Sequence, residues 1–296
     1  MSVACPSGTA RRHHAPGRGG SIWRGILPAL GLSAILLASA TAASEDQATG
    51  PAAAPFSSGE RLFYRVEWDP PWYLFFLPKM EAGELELALS ADADYEQKPV
   101  WRITFKARSS GTLSRLADLH VDDHFESIAD RTTFCTYEVT KRIMEGRRKR
   151  EIHVKYYHRE RRLHVRELDV ARVPPRTVKD RQKDGLPVCV RDVFASLYAL
   201  RMEKLTIGSV RKWTIGDDDV VKEVETRALR LETVQGPSGP IPGLLIDTVA
   251  LLGGLFKEGG QFRIWLSNDE RRLPLKFQVQ VKLGKVDGRL VSVGRP

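Results

Sequence analysis

The residues of this chain best suited to chemistry lie in one short run, His120-Val121-Asp122-Asp123-His124, with Glu126 just beyond. Imidazoles and carboxylates at alternating positions are what a transition-metal site uses, provided they converge. On an extended strand His120, Asp122 and His124 share a face, but that stretch covers about 13 Å, too far for all of them to reach one ion. Leu119, Val121 and Phe125 claim the opposite face as a buried one. The run therefore reads as a polar stripe toward solvent, and no metal or other cofactor is expected. His153, His158 and His164 stand among basic residues and read as surface groups. The sequence holds no G-x-S-x-G elbow, no H-E-x-x-H and no phosphate-cradling glycine loop. Gly253-Gly254 and Gly259-Gly260 lack a strand-to-helix frame and read as a hairpin turn. No catalytic residue is expected, although two acids from distant strands would leave no local signature.

Two clusters suggest binding instead. Trp72, Tyr73, Phe75 and Phe76 are bracketed by Pro70, Pro71 and Pro78, greasier than a hairpin loop should be. Such a segment fits a membrane interface, where aromatic rings collect, the lip of an apolar pocket, or a strand that completes the core. The second cluster is basic. Between Lys141 and Lys183 stand 16 basic and six acidic residues, in a chain of formal net charge +9. Arg147, Arg148, Lys149 and Arg150 are its densest part. A basic block on a body that is otherwise net acidic suggests a surface that meets anions; a well-solvated polar hairpin is the plainer reading.

The first 42 residues bear on compartment. Arg11, Arg12, Arg18 and Arg24 precede an apolar run from Ile26 to Leu37 and the small tract Ala38-Ser39-Ala40-Thr41-Ala42. A basic leader, a short apolar core and an Ala-x-Ala end are the parts of a secretory signal peptide. The core is shorter than the roughly 20 apolar residues of a membrane span. Cleavage is expected after Ala42, leaving 254 residues that work in the periplasm or outside the cell. Nucleic acid is then an improbable partner; anionic lipid or an envelope protein fits better. An oxidising compartment also permits a bridge between Cys135 and Cys189, the alternative being two buried thiols.

The elements that must position these residues are mostly strands. Residues 43–55 are small and polar and read as a disordered lead-in, before a single β-rich domain over 56–296. Apolar residues alternate at Leu85, Leu87 and Leu89, at Ile152, Val154 and Tyr156, and from Leu275 to Leu283, the period of a half-buried strand. Turn signals fall between such runs, the strongest at Asp287-Gly288. One segment, about 190–203, reads as the main helix, with Asp192 as its N-cap; Thr112 to Leu119 fits a shorter one. The charged spacer from Asp169 to Leu186 reads as a long mobile loop. The expected fold is mainly β: a large curved antiparallel sheet, half-barrel or barrel, with the main helix packed on its concave side.

Several local signatures together resemble a bacterial cell-envelope family known only as domain of unknown function number 3108. They are Gly59-Glu60-Arg61-Leu62-x-Tyr64, Ala82-Gly83-Glu84, Asp192-x-x-x-Ser196-x-x-Tyr198-x-x-Arg201 and Ile264-Trp265-Leu266-Ser267-x-Asp269-x-x-Arg272-x-Pro274. The resemblance implies a secreted, β-rich domain and brings no catalytic residues. Three roles follow as expectations: a binding or carrier module for an apolar or lipid-like ligand, a structural or interaction protein of the envelope without a small ligand, or an envelope hydrolase.

Overall fold

The computed structural model describes residues 54–116, 120–249, 261–280 and 284–294. The leader, most of the lead-in, Leu119 and both glycine pairs of the 250s lie outside the described residues. In chain order come β1 (Glu60–Asp69), a single 3-10 turn (Trp72–Leu74), β2 (Met80–Tyr95), β3 (Lys98–Ser109), α1 (Gly111–Leu116), β4 (Asp122–Asp130), β5 (Thr136–Glu145), β6 (Arg148–Tyr157), β7 (Arg162–Asp169) and β8 (Arg176–Lys183). Then follow α2 (Val193–Met202), β9 (Val210–Asp217), β10 (Val220–Gly236), β11 (Gly239–Val249), β12 (Gln261–Ser267), β13 (Pro274–Gln280) and β14 (Lys285–Gly294).

All fourteen strands belong to one antiparallel sheet of spatial order β8 to β1 and then β14 to β9. It is mainly β, as expected, and it is not closed: β8 and β9 are its edges. Each half is a meander, and β1 pairing with β14 joins the first half to the last strand. Alternation sets the faces. Leu62, Tyr64 and Val66 of β1 and Leu87 and Leu89 of β2 are buried, as are Val154 and Tyr156 of β6 and Leu244 and Ile246 of β11. Burying these rows curls the sheet, because a twisted sheet with one greasy face covers it most fully by wrapping.

One feature departs from the sequence expectation. The charged spacer is not a loop: Arg176–Lys183 forms β8, registered against β7 from Leu163↔Lys183 to Asp169↔Arg176. Its residues are exposed or half-exposed throughout, so it carries no period-two signal. The long Arg and Lys side chains suit an edge strand, where charge discourages further pairing.

In an antiparallel meander, successive turns alternate between the two ends of the sheet. At one end lie the turns of β2–β3, β4–β5, β6–β7, β10–β11 and β12–β13, and α2 lies across it. Asp192 caps that helix, accepting from the Phe194 and Ala195 N–H groups at 2.8 and 3.2 Å. The same carboxylate accepts from Thr136 Oγ1 at 2.7 Å and from the Ser127 hydroxyl, which ties the cap to β5 and β4. At the far end of α2, Arg201 makes a buried fork with Glu60 of β1 (2.6 and 2.9 Å) and donates to the Arg271 carbonyl at 3.1 Å. The helix thus spans from β4 to β1 and the β12–β13 turn. We call this end the helix rim and the other the loop rim.

Around α2, aromatic side chains pack against the concave side among the described residues. Phe194 stacks on Phe105 at 4.6 Å, Tyr198 on Phe134 at 6.4 Å, and Phe56 meets Tyr198 edge-on at 5.0 Å. A pocket under the start of α2, lined by Phe125, Val139, Tyr156 and Phe194 among others, has a volume of about 20 Å³. That holds about one water, whereas a small-ligand site takes roughly 300 Å³ or more.

Candidate functional site

The β1–β2 connection stands at the loop rim. Pro71 leaves β1 extended (φ −67°, ψ 158°), and the chain then makes one 3-10 turn with no side-chain cap. Backbone bonds from Leu74 N to Pro71 O (2.8 Å) and from Leu77 N to Leu74 O (2.9 Å) fold the segment on itself. Its base is held. Lys79 lies 3.2 Å from Asp69 and 3.5 Å from Asp287. Gly284, before β14, has φ +89°, and a Cβ there would stand 2.2 Å from the Asp69 carbonyl oxygen. Only glycine lets that turn pack on the exit of β1.

On this base the rings point outward. Trp72 and Phe75 are each 86% exposed, Phe76 67% and Tyr73 50%. They pair edge-on, Trp72 with Tyr73 at 5.9 Å and Phe75 with Phe76 at 6.1 Å. The core-strand alternative for this segment is therefore wrong. A strand needs a partner on at least one side, and Pro70, Pro71 and Pro78 withhold three backbone donors where pairing would have to begin.

The β5–β6 turn stands at the same rim. Gly146 takes φ +55° there, and its N–H donates to the His120 carbonyl at 2.8 Å. Arg147, Arg148 and Lys149 are exposed. Arg148 reaches Glu145 at 3.0 Å. Arg150 differs from its neighbours: it bonds Asp169 at 2.7 Å and Glu167 at 3.3 Å, its side chain only 23% exposed. The basic patch read from the sequence thus keeps three of its four members at the surface. Between the two turns sits the β3–β4 connection with α1, bonded to β2 through Ser110 N and the Ala82 carbonyl at 3.1 Å. Four strand spacings separate the aromatic loop from the basic turn, about 19 Å along the curved sheet.

The polar run of the sequence is dispersed. Asp122 faces Arg108 at 3.1 Å, Glu126 pairs with Arg102, and His124 stands in register between Lys106 and Arg142. Among the described residues no group of three or more His, Cys, Asp or Glu could hold a metal ion. His120, Asp122 and His124 are exposed, as the polar-stripe reading expected, and Phe125 faces inward; sequence reasoning did not single out Asp123, which shares that inner face and is 7% exposed. Burial pushes its carboxyl up to about 6, although the Met144 N–H bonded to it pulls the other way. Also missed was Lys141, between Asp217 and Asp218 of the β9–β10 turn. Burial works against its charge, but the two carboxylates outweigh it and hold the ammonium above the ordinary lysine value. The run Asp217-Asp218-Asp219 was the available signal. Cys135 and Cys189 are bonded, with Cα atoms 5.2 Å apart.

Among the described residues no helix is long and apolar enough to cross a membrane. No curated protein matches the chain. A crystal structure of a β-barrel-like protein of domain of unknown function DUF1849 from Brucella abortus is similar in fold, with TM-score 0.51 and 11% identity, covering 81% of this chain and 98% of that one. The model of DUF3108, a protein family of unknown function, matches residues 64–291. With the match running from β1 into β14, the chain belongs to the DUF3108 family.

Proposed function

We propose that this protein is a non-enzymatic binding module of the bacterial cell envelope that meets a lipid-like partner, the interfacial layer of an anionic membrane, through its loop rim. The observation that carries the reading is the set of four exposed rings on a proline-bracketed loop whose base is pinned. Exposed aromatic clusters on a soluble surface mark contact sites, and rings with polar edges suit the headgroup level. The basic β5–β6 turn lies at the same end of the sheet, so one approach brings both to one plane. Partial burial of a ring contributes about 1 kcal/mol, and each Arg or Lys near an anionic surface about 1 kcal/mol. Four rings and three cations then amount to a reversible contact rather than an anchor. The signal-like leader and the Cys135–Cys189 bond support placing this contact in the periplasm, since disulfides persist in oxidising compartments.

The test is co-sedimentation with vesicles of phosphatidylglycerol and phosphatidylethanolamine, against vesicles of phosphatidylcholine alone. The protein is expected to bind the anionic vesicles better and to lose binding as salt rises. Trp72→Ala with Phe75→Ala should lower partitioning by about thirtyfold, the equivalent of two partly buried rings at about 1 kcal/mol each. Arg147→Gln with Lys149→Gln should flatten the salt dependence. Binding unaffected by the aromatic changes would refute the reading.

A further inference from the structure

The face of the sheet turned away from the core carries a row of three cations. Arg65 of β1 stands in register with Arg289 of β14, and Arg289 with Lys276 of β13. Residues directly opposite on paired strands share a face and lie about 5 Å apart, where like charges repel. The acids nearby are mostly engaged. Glu67 lies 3.5 Å from Arg289, and Asp287, the next acid along β14 on that face, is taken up by Lys79 and Gln278. Glu232 is held by Arg230 and by the Trp265 indole. Glu84 of β2 stands in register with Arg65, yet among the described residues Arg65 pairs with no carboxylate. Arg65 is exposed and the Arg289 side chain is 45% exposed, so both are reachable from solvent.

Part of this row lines a cavity of about 270 Å³. Arg65, Glu67, Arg289 and Val291 line it from the sheet, and Gln235, Gly236 and Pro237 of the β10–β11 turn line it from the other side. In the sheet, β12 and β13 lie between that hairpin and β14, so the turn reaches the cavity by bending over them. Two irregularities shape the approach. Leu229 is unmatched where the register of β10 on β11 shifts, and Val291 is unmatched where that of β14 on β1 shifts; such bulges bend a strand and re-aim its side chains. The Trp265 indole of β12 donates to Glu232 of β10 at 2.7 Å and has the Lys276 ammonium of β13 4.6 Å from its ring centre. These contacts tie the distal part of the hairpin to the sheet.

We propose that this cleft binds a phosphomonoester, gripped by Arg65 and Arg289 beneath the β10–β11 turn. Its volume lies near the lower end for small-ligand sites and suits a phosphate with a small substituent. A guanidinium fork takes carboxylate or phosphate oxygens two at a time. A terminal phosphate offers three oxygens, enough for two forks to share, whereas the two of a carboxylate serve one. The anion replaces repulsion within the row by charge-assisted hydrogen bonds, and Gln235 brings an amide donor from the opposite wall. Arg65 lies about 13 Å along β1 from Asp69 at the base of the aromatic loop. The cleft is therefore separate from the membrane contact proposed above and does not depend on it.

The test is calorimetric titration of the full chain with glycerol 3-phosphate at constant ionic strength, beside sedimentation with phosphatidylcholine vesicles that contain phosphatidic acid. Arg65→Gln should weaken binding by about tenfold or more, the equivalent of one charge-assisted hydrogen bond. Arg65→Lys, which keeps the charge and loses the fork, should restore it only in part. Val291→Trp fills the cleft without changing its charge and should abolish binding, whereas Glu84→Gln removes a competing acid and should tighten it. An unchanged urea midpoint confirms that each variant is folded. Uptake of the free ester that depends on both Arg65 and Val291 supports the cleft and marks a soluble ligand. Vesicle binding with that dependence, without uptake of the free ester, supports the cleft and marks a lipid headgroup. Binding of neither probe, binding indifferent to Arg65→Gln and Val291→Trp, or a tenfold loss of ester binding in Arg147→Gln with Lys149→Gln overturns it. Trp72→Ala with Phe75→Ala should leave ester binding unchanged, so failure of the cleft and failure of the loop-rim contact are read separately.

Discussion

At the scale of single residues, two buried charges carry separable predictions. Asp123 stands on the inner face of β4, its carboxyl pushed up to about 6 by burial. The folded state therefore holds a proton that the unfolded chain releases near pH 4, so stability falls as pH rises through the window between the two values. Asp123→Asn keeps the acceptor for the Met144 N–H at 2.8 Å and removes the charge. It is expected to stabilise the protein by about 1 kcal/mol at pH 7, after discounting for the solvent that still reaches the group; the gain should vanish near pH 4, as read from urea midpoints at both pH values. Arg201, by contrast, is fully buried and its fork with Glu60 is its only carboxylate partner among the described residues. Glu60→Gln leaves an uncompensated guanidinium inside and should cost about 3–5 kcal/mol, measured by the same titration. Both Glu60 and Arg201 are visible in the family-like signatures, but 141 positions apart nothing in the chain says that they touch.

At the scale of elements, α2 shows how far local chemistry reaches. Its N-cap and apolar spacing are legible because both are set by neighbours within a turn or two. What the carboxylate of Asp192 also does, bonding Ser127 and Thr136 across the helix rim, is a tertiary matter. Asp192→Ala is accordingly expected to cost more than the roughly 1 kcal/mol of a cap alone, about 2–3 kcal/mol in a thermal or chemical unfolding curve, because two buried hydroxyls lose their acceptor. Asp192→Asn, which can keep the cap, should recover part of that loss. The aromatic loop and β8 are the elements that pattern misread, for opposite reasons. The loop is apolar yet exposed, so burial could not be inferred from composition. β8 is polar on both faces, so a strand built on backbone pairing at an edge left no alternation to find.

At the scale of the whole molecule, the Cys135–Cys189 bond closes a span of 54 residues that holds β5 to β8. A loop of that length is worth about 4 kcal/mol in the chain-entropy account. Reduction, or Cys135→Ala with Cys189→Ala, should lower stability by about that amount, seen as a downward shift of the urea midpoint with an unchanged far-ultraviolet strand signature below it. The fold class was legible in advance because alternation at period two is a property of each strand by itself, and many such strands with one greasy face have few ways to cover it. The types of the interfacial residues were equally plain, since prolines, rings and a run of arginines need no partner to be seen. Only the folded chain decided that β1 pairs with β14, that the ringed loop and the basic turn share a rim while α2 lies across the other, and that Arg191 and Lys141 both meet the end of β9, one through backbone bonds and the other through Asp217 and Asp218. Those are distances between residues far apart along the chain, and they are set by how the curled sheet brings its edges together, which no local pattern encodes.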